Sequence, residues 1–303
     1  MEMLFKAPGL EFTDINTIPY TAKNIKLIVA RLDMVHPVIS GNKLFKLHYF
    51  LEEAVQSSHK TILTFGGAYS NHLAATAFAC KLAGLKSIGV VRGERPGELS
   101  PTLIACANDG MLVKFVSRNV YAQKDQLQFQ NELKSEFGDC LIIPEGGYHP
   151  IGAKGASLIM DKLHFLNATH ICLAAGTATT LAGLVQNRQN EEIIVAVPVL
   201  KNMNDIEQRI SFLTTNAKAS KLVIFNDYHF GGYAKCTSAL IGFMNELYEQ
   251  NNLPTDFVYT AKMMYAIIDK IKTGYFEDGS FIVCLHTGGL QGNASLPAGT
   301  LVF

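Results

Sequence analysis

Residues 61–83 read TILTFGGAYSNHLAATAFACKLA. The run Thr61–Phe65 is apolar and β-branched with no polar alternation, which fits a strand covered on both faces. Gly66 and Gly67 break it, Ser70 and Asn71 are helix-capping residue types, and Asn71–Ala83 continues as a helical pattern. A buried strand running through glycines into a helix is half of a βαβ unit, and such units build parallel sheets. The same alternation extends in both directions. Strands are predicted at Leu27–Ala30, Ser87–Val91, Leu112–Val116, Leu141–Ile143, His170–Leu173, Ile193–Val197, Lys221–Phe225 and Phe281–Leu285. Helical segments include Gln123–Phe137, Ile151–Phe165, Thr179–Asn190, Ile206–Asn216 and Ala234–Asn252. A further amphipathic helix follows Lys43, with Leu44, Leu47, Phe50 and Leu51 on its apolar face.

So many strands strain a single parallel sheet. The expected fold class is α/β, with two open, mostly parallel sheets flanked by helices and facing a shared cleft. The turn-rich stretch around Gly146–Gly155 marks the crossing between them. The expected division puts 1–45 and 155–303 in a larger domain and 46–154 in a smaller one. Right-handed crossovers bring strand C-termini to one edge, where open sheets bind ligands.

Composition narrows the function. Of 303 residues, 48% are hydrophobic and 17% charged, with 26 basic residues cancelling 26 acidic ones. A large core and no basic excess argue against nucleic acid or an anionic membrane as the main partner. The six cysteines form no C-x-x-C pair and mostly sit in apolar runs, so reduced core thiols are expected and no metal site. No apolar stretch reaches the ~18 residues of a membrane span, and the first residues lack a signal-peptide pattern. A cytoplasmic protein is expected.

Four segments place glycine beside hydroxyl, amide, imidazole or amine groups after a strand: Ser40-Gly41-Asn42-Lys43, Gly66–His72, Gly176–Thr180 and His286–Gly289. Gly176, Thr177, Ala178, Thr179 and Thr180 open a helix, where unpaired N–H groups could hold a phosphate, or where the threonines could simply cap it. Neither a P-loop nor a dinucleotide turn is present. Ser70, Asn71 and His72 could hold a carboxylate in the same way, or cap their own helix. Lys43 is either a solvated surface charge or, if confined, a nucleophilic amine.

Together these segments resemble the aminocyclopropane-carboxylate deaminase and D-cysteine desulfhydrase family of pyridoxal-phosphate enzymes, which has the fold of the tryptophan synthase β-subunit (fold-type II). The likeness is carried in family order by Arg31-Leu32-Asp33, Ser40–Lys43 with Lys46, Thr64–His72, Pro144–Gly147, Gly176–Thr180 with Ala182 and Gly183, Val258-Tyr259-Thr260 and His286–Gly289. It implies that Lys43 forms the Schiff-base link to pyridoxal phosphate and that Asn71 bonds the cofactor's phenolic oxygen. Lys46 and Gly176–Thr180 would hold the phosphate, and Thr260 would meet the pyridine nitrogen. Ser70, Asn71 and His72 would surround the substrate carboxylate, with Tyr233 and Tyr259 facing the substrate. A homodimer acting on a small amino acid is implied as well.

Three positions depart from the family. Leu32 stands where glutamate is usual and Phe45 where arginine is usual, which points to a difference in substrate. Ala178 replaces a glycine and fits if it has ordinary helical angles. Thr260, Thr287 and His72 resemble the desulfhydrases, whereas the deaminases carry glutamate, leucine and glutamine there. A neutral hydroxyl at the ring nitrogen supports a weaker electron sink than a carboxylate does, and a good leaving group needs less of one. The expected reaction is therefore α,β-elimination from D-cysteine to pyruvate, ammonia and sulfide, with Lys43 as base. The alternatives are opening of 1-aminocyclopropane-1-carboxylate to 2-oxobutyrate, elimination from D-serine or β-chloroalanine, and a non-catalytic pyridoxal-phosphate-binding role.

Overall fold

Each predicted apolar run becomes a strand in the computed structural model, which describes residues 9–16, 24–57, 59–189, 191–215 and 221–303. Residues 1–8 and the predicted helix ends Asn190 and Asn216 lie outside the described residues. The larger sheet runs in the order β1 (Phe12–Asp14), β2 (Lys26–Ala30), β10 (Phe281–Leu285), β7 (His170–Ala175), β8 (Ile193–Pro198) and β9 (Leu222–Ile224). The smaller runs β5 (Met111–Val116), β4 (Lys86–Arg92), β3 (Thr61–Gly66) and β6 (Leu141–Ile143). Every pairing is parallel except β1 with β2. That short antiparallel edge strand was not expected, because three residues reading FTD carry no periodic signal.

Burial explains the unbroken apolar strands. In β3, β7, β8 and β10 every residue after the first is buried, so both faces of each sheet are covered. The covering helices are α1 (Asn42–Gln56), α2 (Asn71–Ala83), α3 (Pro101–Asn108), α4 (Arg118–Tyr121), α5 (Leu127–Phe137), α6 (Pro150–Asp161), α7 (Thr179–Gln186), α8 (Ile206–Leu213), α9 (Ser238–Asn251) and α10 (Thr260–Lys272). Among the described residues no helix is long and apolar enough to cross a membrane. All six cysteines are free thiols and five are buried.

The stretch Gly146–Gly155 differs from its turn-rich reading. Gly146 and Gly147 do turn, with φ of 65° and 71°, but Gly152 and Gly155 lie inside α6. A Cβ on Gly152 would strike the carbonyl of Gly147, and one on Gly155 the carbonyl of Phe45. Gly155 lets α6 press against α1 and Gly152 lets it press against the Gly147 turn, so both serve close packing rather than chain reversal. Gly183 of α7 does the same against Ala153 of α6.

Candidate active site

The four glycine-rich segments leave their strands at the C-terminal ends and meet. Asn42 at the start of α1 donates its N–H to the Thr287 carbonyl after β10 (3.2 Å) and its Nδ2 to Thr180 Oγ1 after β7 (2.8 Å). Asn71 at the start of α2 donates Nδ2 to the Gly289 carbonyl (3.1 Å). A Cβ on Gly289 would overlap that amide, and one on Gly41 would overlap the Thr287 carbonyl. Glycine is required at both positions, which also have φ of 94° and 73°. The smaller sheet's end is thereby stitched to the larger one's.

Lys43 is half-buried here, donating from Nζ to Asn42 Oδ1 at 2.7 Å. Burial pulls its amine from the usual 10.5 to about 8, against the opposing pull of Asp256. Lys46, one turn on, is 5% exposed and reaches only the Gly146 carbonyl, at 3.1 Å. Burial and then the Lys43 charge hold its amine well below its usual value. Two crowded buried lysines are a site short of an anion.

The helix start at Gly176–Thr180 can supply that anion's other partners. No threonine caps α7; instead Thr177 and Thr179 bond to each other through their hydroxyls at 2.8 Å, leaving the first-turn N–H groups open. Ala178 has φ of 64°, so the expectation of ordinary helical angles fails. Its backbone keeps the left-handed shape that glycine would take, at a cost of about 1–2 kcal/mol. Gly176 lies under Tyr259, whose ring carbon would sit 3.1 Å from an added Cβ.

Ser70 does cap α2, its Oγ accepting the Leu73 N–H at 3.3 Å, which leaves its own hydroxyl proton available. His72 lies deeper than expected. Thr64 Oγ1 gives its proton to the Ile143 carbonyl (2.8 Å), so the 2.9 Å contact to His72 Nε2 must be donated by the imidazole. Burial, Lys43 and Lys46 push the ring to about 3, so it is neutral and Nδ1 is a bare acceptor without a partner. Such a side chain cannot donate to a carboxylate; only its backbone N–H can.

Tyr259 and Tyr233 meet from different elements, hydroxyl to hydroxyl at 3.4 Å. Burial raises both phenols, Tyr259 strongly, so both keep their protons. Thr260 is fully buried, donating to Asp256 Oδ1 at 2.7 Å and accepting the Asp256 N–H at 2.8 Å. Asp256 also takes the N–H groups of Val258, Tyr259 and Thr260. It is the bracket that sets the Val258–Thr260 turn, and an aspartate two to four residues ahead of its donors was a capping signal open to reading. His286, 1% exposed, faces Asp33 (3.2 Å) and the Pro254 carbonyl (2.7 Å), tying the ends of β2 and β10 together.

Leu32 and Phe45, the two departures expected to bear on the substrate, are both buried in the large apolar cluster of the molecule.

The site fits the pyridoxal phosphate that the resemblance implies. Lys43 and Lys46 lack an anion, the α7 N-terminus is open, and the buried Asn71 Oδ1 and His72 Nδ1 have no partners. Comparison with known proteins agrees. The family described as pyridoxal-phosphate dependent enzyme matches residues 7–288. A Pyrococcus horikoshii protein provisionally named a 1-aminocyclopropane-1-carboxylate deaminase is 29% identical, over 96% of this chain and 94% of its own. The Arabidopsis thaliana mitochondrial bifunctional D-cysteine desulfhydrase/1-aminocyclopropane-1-carboxylate deaminase is 28% identical, over 91% and 75%. A crystal structure of an ACC deaminase homologue superposes with a TM-score of 0.81 at 26% identity, over 95% of this chain and 91% of that one.

Proposed function

We propose, since the chain belongs to the pyridoxal-phosphate-dependent enzyme family, that it eliminates the β-substituent of a small amino acid, D-cysteine above all, giving pyruvate, ammonia and sulfide. The observation that carries this reading is the pair of phenols, Tyr259 beside Gly176 and Tyr233 hydroxyl to hydroxyl with it. A departing thiolate needs a proton, and these two hydroxyls each bear one. The Arabidopsis relative is named for both D-cysteine desulfhydrase and 1-aminocyclopropane-1-carboxylate deaminase activity, so the elimination is one of the two activities named for it.

Pyridoxal phosphate, when bound, supplies the electron sink that lets the Cα–H bond break. Lys43 would hold the cofactor and would accept the α-proton; an amine near 8 is basic enough to accept it and uncharged often enough to act. Lys46, Thr177, Thr179 and the first N–H groups of α7 would hold the phosphate, with Gly176, Ala178 and Thr180 shaping that turn. Asn71 would hold the phenolic oxygen with its second amide hydrogen. The Ser70 hydroxyl and the backbone N–H groups of Asn71 and His72 orient the substrate carboxylate. Thr260, held by Asp256, would meet the ring nitrogen. We also infer a cytoplasmic homodimer.

The second reading is opening of 1-aminocyclopropane-1-carboxylate, favoured by the name of the Pyrococcus relative. Cofactor-loaded protein given D-cysteine, L-cysteine and 1-aminocyclopropane-1-carboxylate in parallel separates the two. Sulfide and pyruvate chiefly from D-cysteine, lost in Lys43→Ala, is the expected result. 2-Oxobutyrate without sulfide would reverse the assignment.

A further inference from the structure

Lys262 is fully buried, although the surrounding Thr260-Ala261-Lys262-Met263 gives no hint of it. An ammonium taken out of water costs several kcal/mol unless its protons are bonded. Lys262 Nζ donates to the His229 carbonyl at 2.9 Å and to the Gly232 carbonyl at 2.7 Å. Each of those carbonyls also closes a turn, accepting the N–H of Gly232 (3.0 Å) and of Lys235 (3.2 Å) respectively. Tyr233 sits between the two turns.

The backbone there is costly. Phe230, Gly231, Gly232 and Ala234 have φ of 50°, 93°, 114° and 52°, and the two non-glycines are strained in that region. Apart from Lys262, the hydrogen bonds given for the loop are its own two turn bonds, one from Gly231 to His229 Nδ1 and the long 3.4 Å contact between Tyr233 and Tyr259, with the Phe230 ring packed edge-on against Tyr265. Lys262 lies in the first turn of α10, three residues after Tyr259, which is the residue immediately before that helix. Asp256 lies before that helix and is the opposite charge nearest in effect, favouring the ammonium against a burial that lowers it to about 8.

We propose that Lys262 is a positioning residue: its buried ammonium ties the double turn 229–235 to α10, so that one helix fixes Tyr259 directly and Tyr233 through the loop. This rests on the reading of the two tyrosines given above. A leucine or methionine would fill the volume but leave the His229 and Gly232 carbonyls without their second donor.

A double-mutant cycle on the cofactor-loaded enzyme, with Lys262→Met and Tyr233→Phe, tests it together with amide hydrogen exchange. Lys262→Met alone should lower kcat for D-cysteine by ~10-fold or more while changing KM little. In the Tyr233→Phe background it should cost under about twofold, because the two residues act as one unit. Exchange at the Gly232 and Lys235 amides should quicken by ~10-fold or more, while Val258, Tyr259 and Thr260, held by Asp256, stay protected. Equal losses in both backgrounds, or unchanged exchange, would overturn the proposal. Should Lys262→Met not fold, Lys262→Gln, which keeps two N–H donors, takes its place with the same pattern at smaller size. A wild type silent with every amino acid would sink the tyrosine assignment, yet the exchange result would still decide whether Lys262 holds the loop.

Discussion

Raising the pH of cofactor-free protein probes the surroundings of Lys43 directly. Capture of an aldehyde needs the uncharged amine, and burial brings Lys43 from 10.5 to about 8. Near pH 7 that change multiplies the uncharged fraction by ~300 over a solvated lysine. Stopped-flow mixing with pyridoxal phosphate, followed by absorbance from pH 6 to 10, should show a rate climbing about tenfold per pH unit and flattening near pH 8. Asp256→Asn removes the pull that opposes burial, so its plateau should begin at lower pH. The same depression has a stability sign. Between about 8 and 10.5 the unfolded chain holds a proton that folded Lys43 has lost, so this residue's contribution to stability rises with pH across that window. A capture rate still climbing tenfold per unit through pH 9 would refute the confinement of Lys43.

Lys46→Met should weaken pyridoxal phosphate by roughly 1.5–3 kcal/mol, the worth of a charged hydrogen bond, while leaving unphosphorylated pyridoxal nearly untouched. Equal losses for both ligands, measured by titration, would remove Lys46 from the phosphate site. Gly289→Ala should cut kcat/KM at least ~10-fold, since the new methyl drives into the Asn71 amide at a left-handed backbone position. Steady-state kinetics beside a melting curve would separate that effect from unfolding.

The chain's own pattern was enough for the buried parallel strands. Such strands must be apolar on both faces, so Thr61–Phe65, Ile193–Val197 and Phe281–Leu285 are conspicuous in any reading; the first two fall one residue short of the observed spans and the third matches its span. The meeting of the Gly66–His72 and Gly176–Thr180 segments was legible as well, because glycine and capping residues after a strand mark backbone that must approach something closely. Gly152 and Gly155 show where that logic stops: glycine signals closeness in a turn and inside a helix alike, and only the positions of the Gly147 and Phe45 carbonyls decide which. His72 shows a second limit. Its place in the motif suggested a donor, but its tautomer is set by Thr64 and Ile143, which lie on two neighbouring strands.

Sequence by itself determined the α/β alternation, the two-sheet architecture and the residue types gathered at the strand ends, because local periodicity and turn chemistry are written in neighbours along the chain. Tertiary structure alone decided the states of those residues. Lys43, Lys46 and Lys262 are ordinary lysines in the sequence, and each becomes a perturbed amine through burial and through charges brought near it by folding. The burial of Leu32 and Phe45 in one core cluster is likewise set by the fold. Desolvation and pairing depend on which distant segments meet, and that is a property of the packed chain.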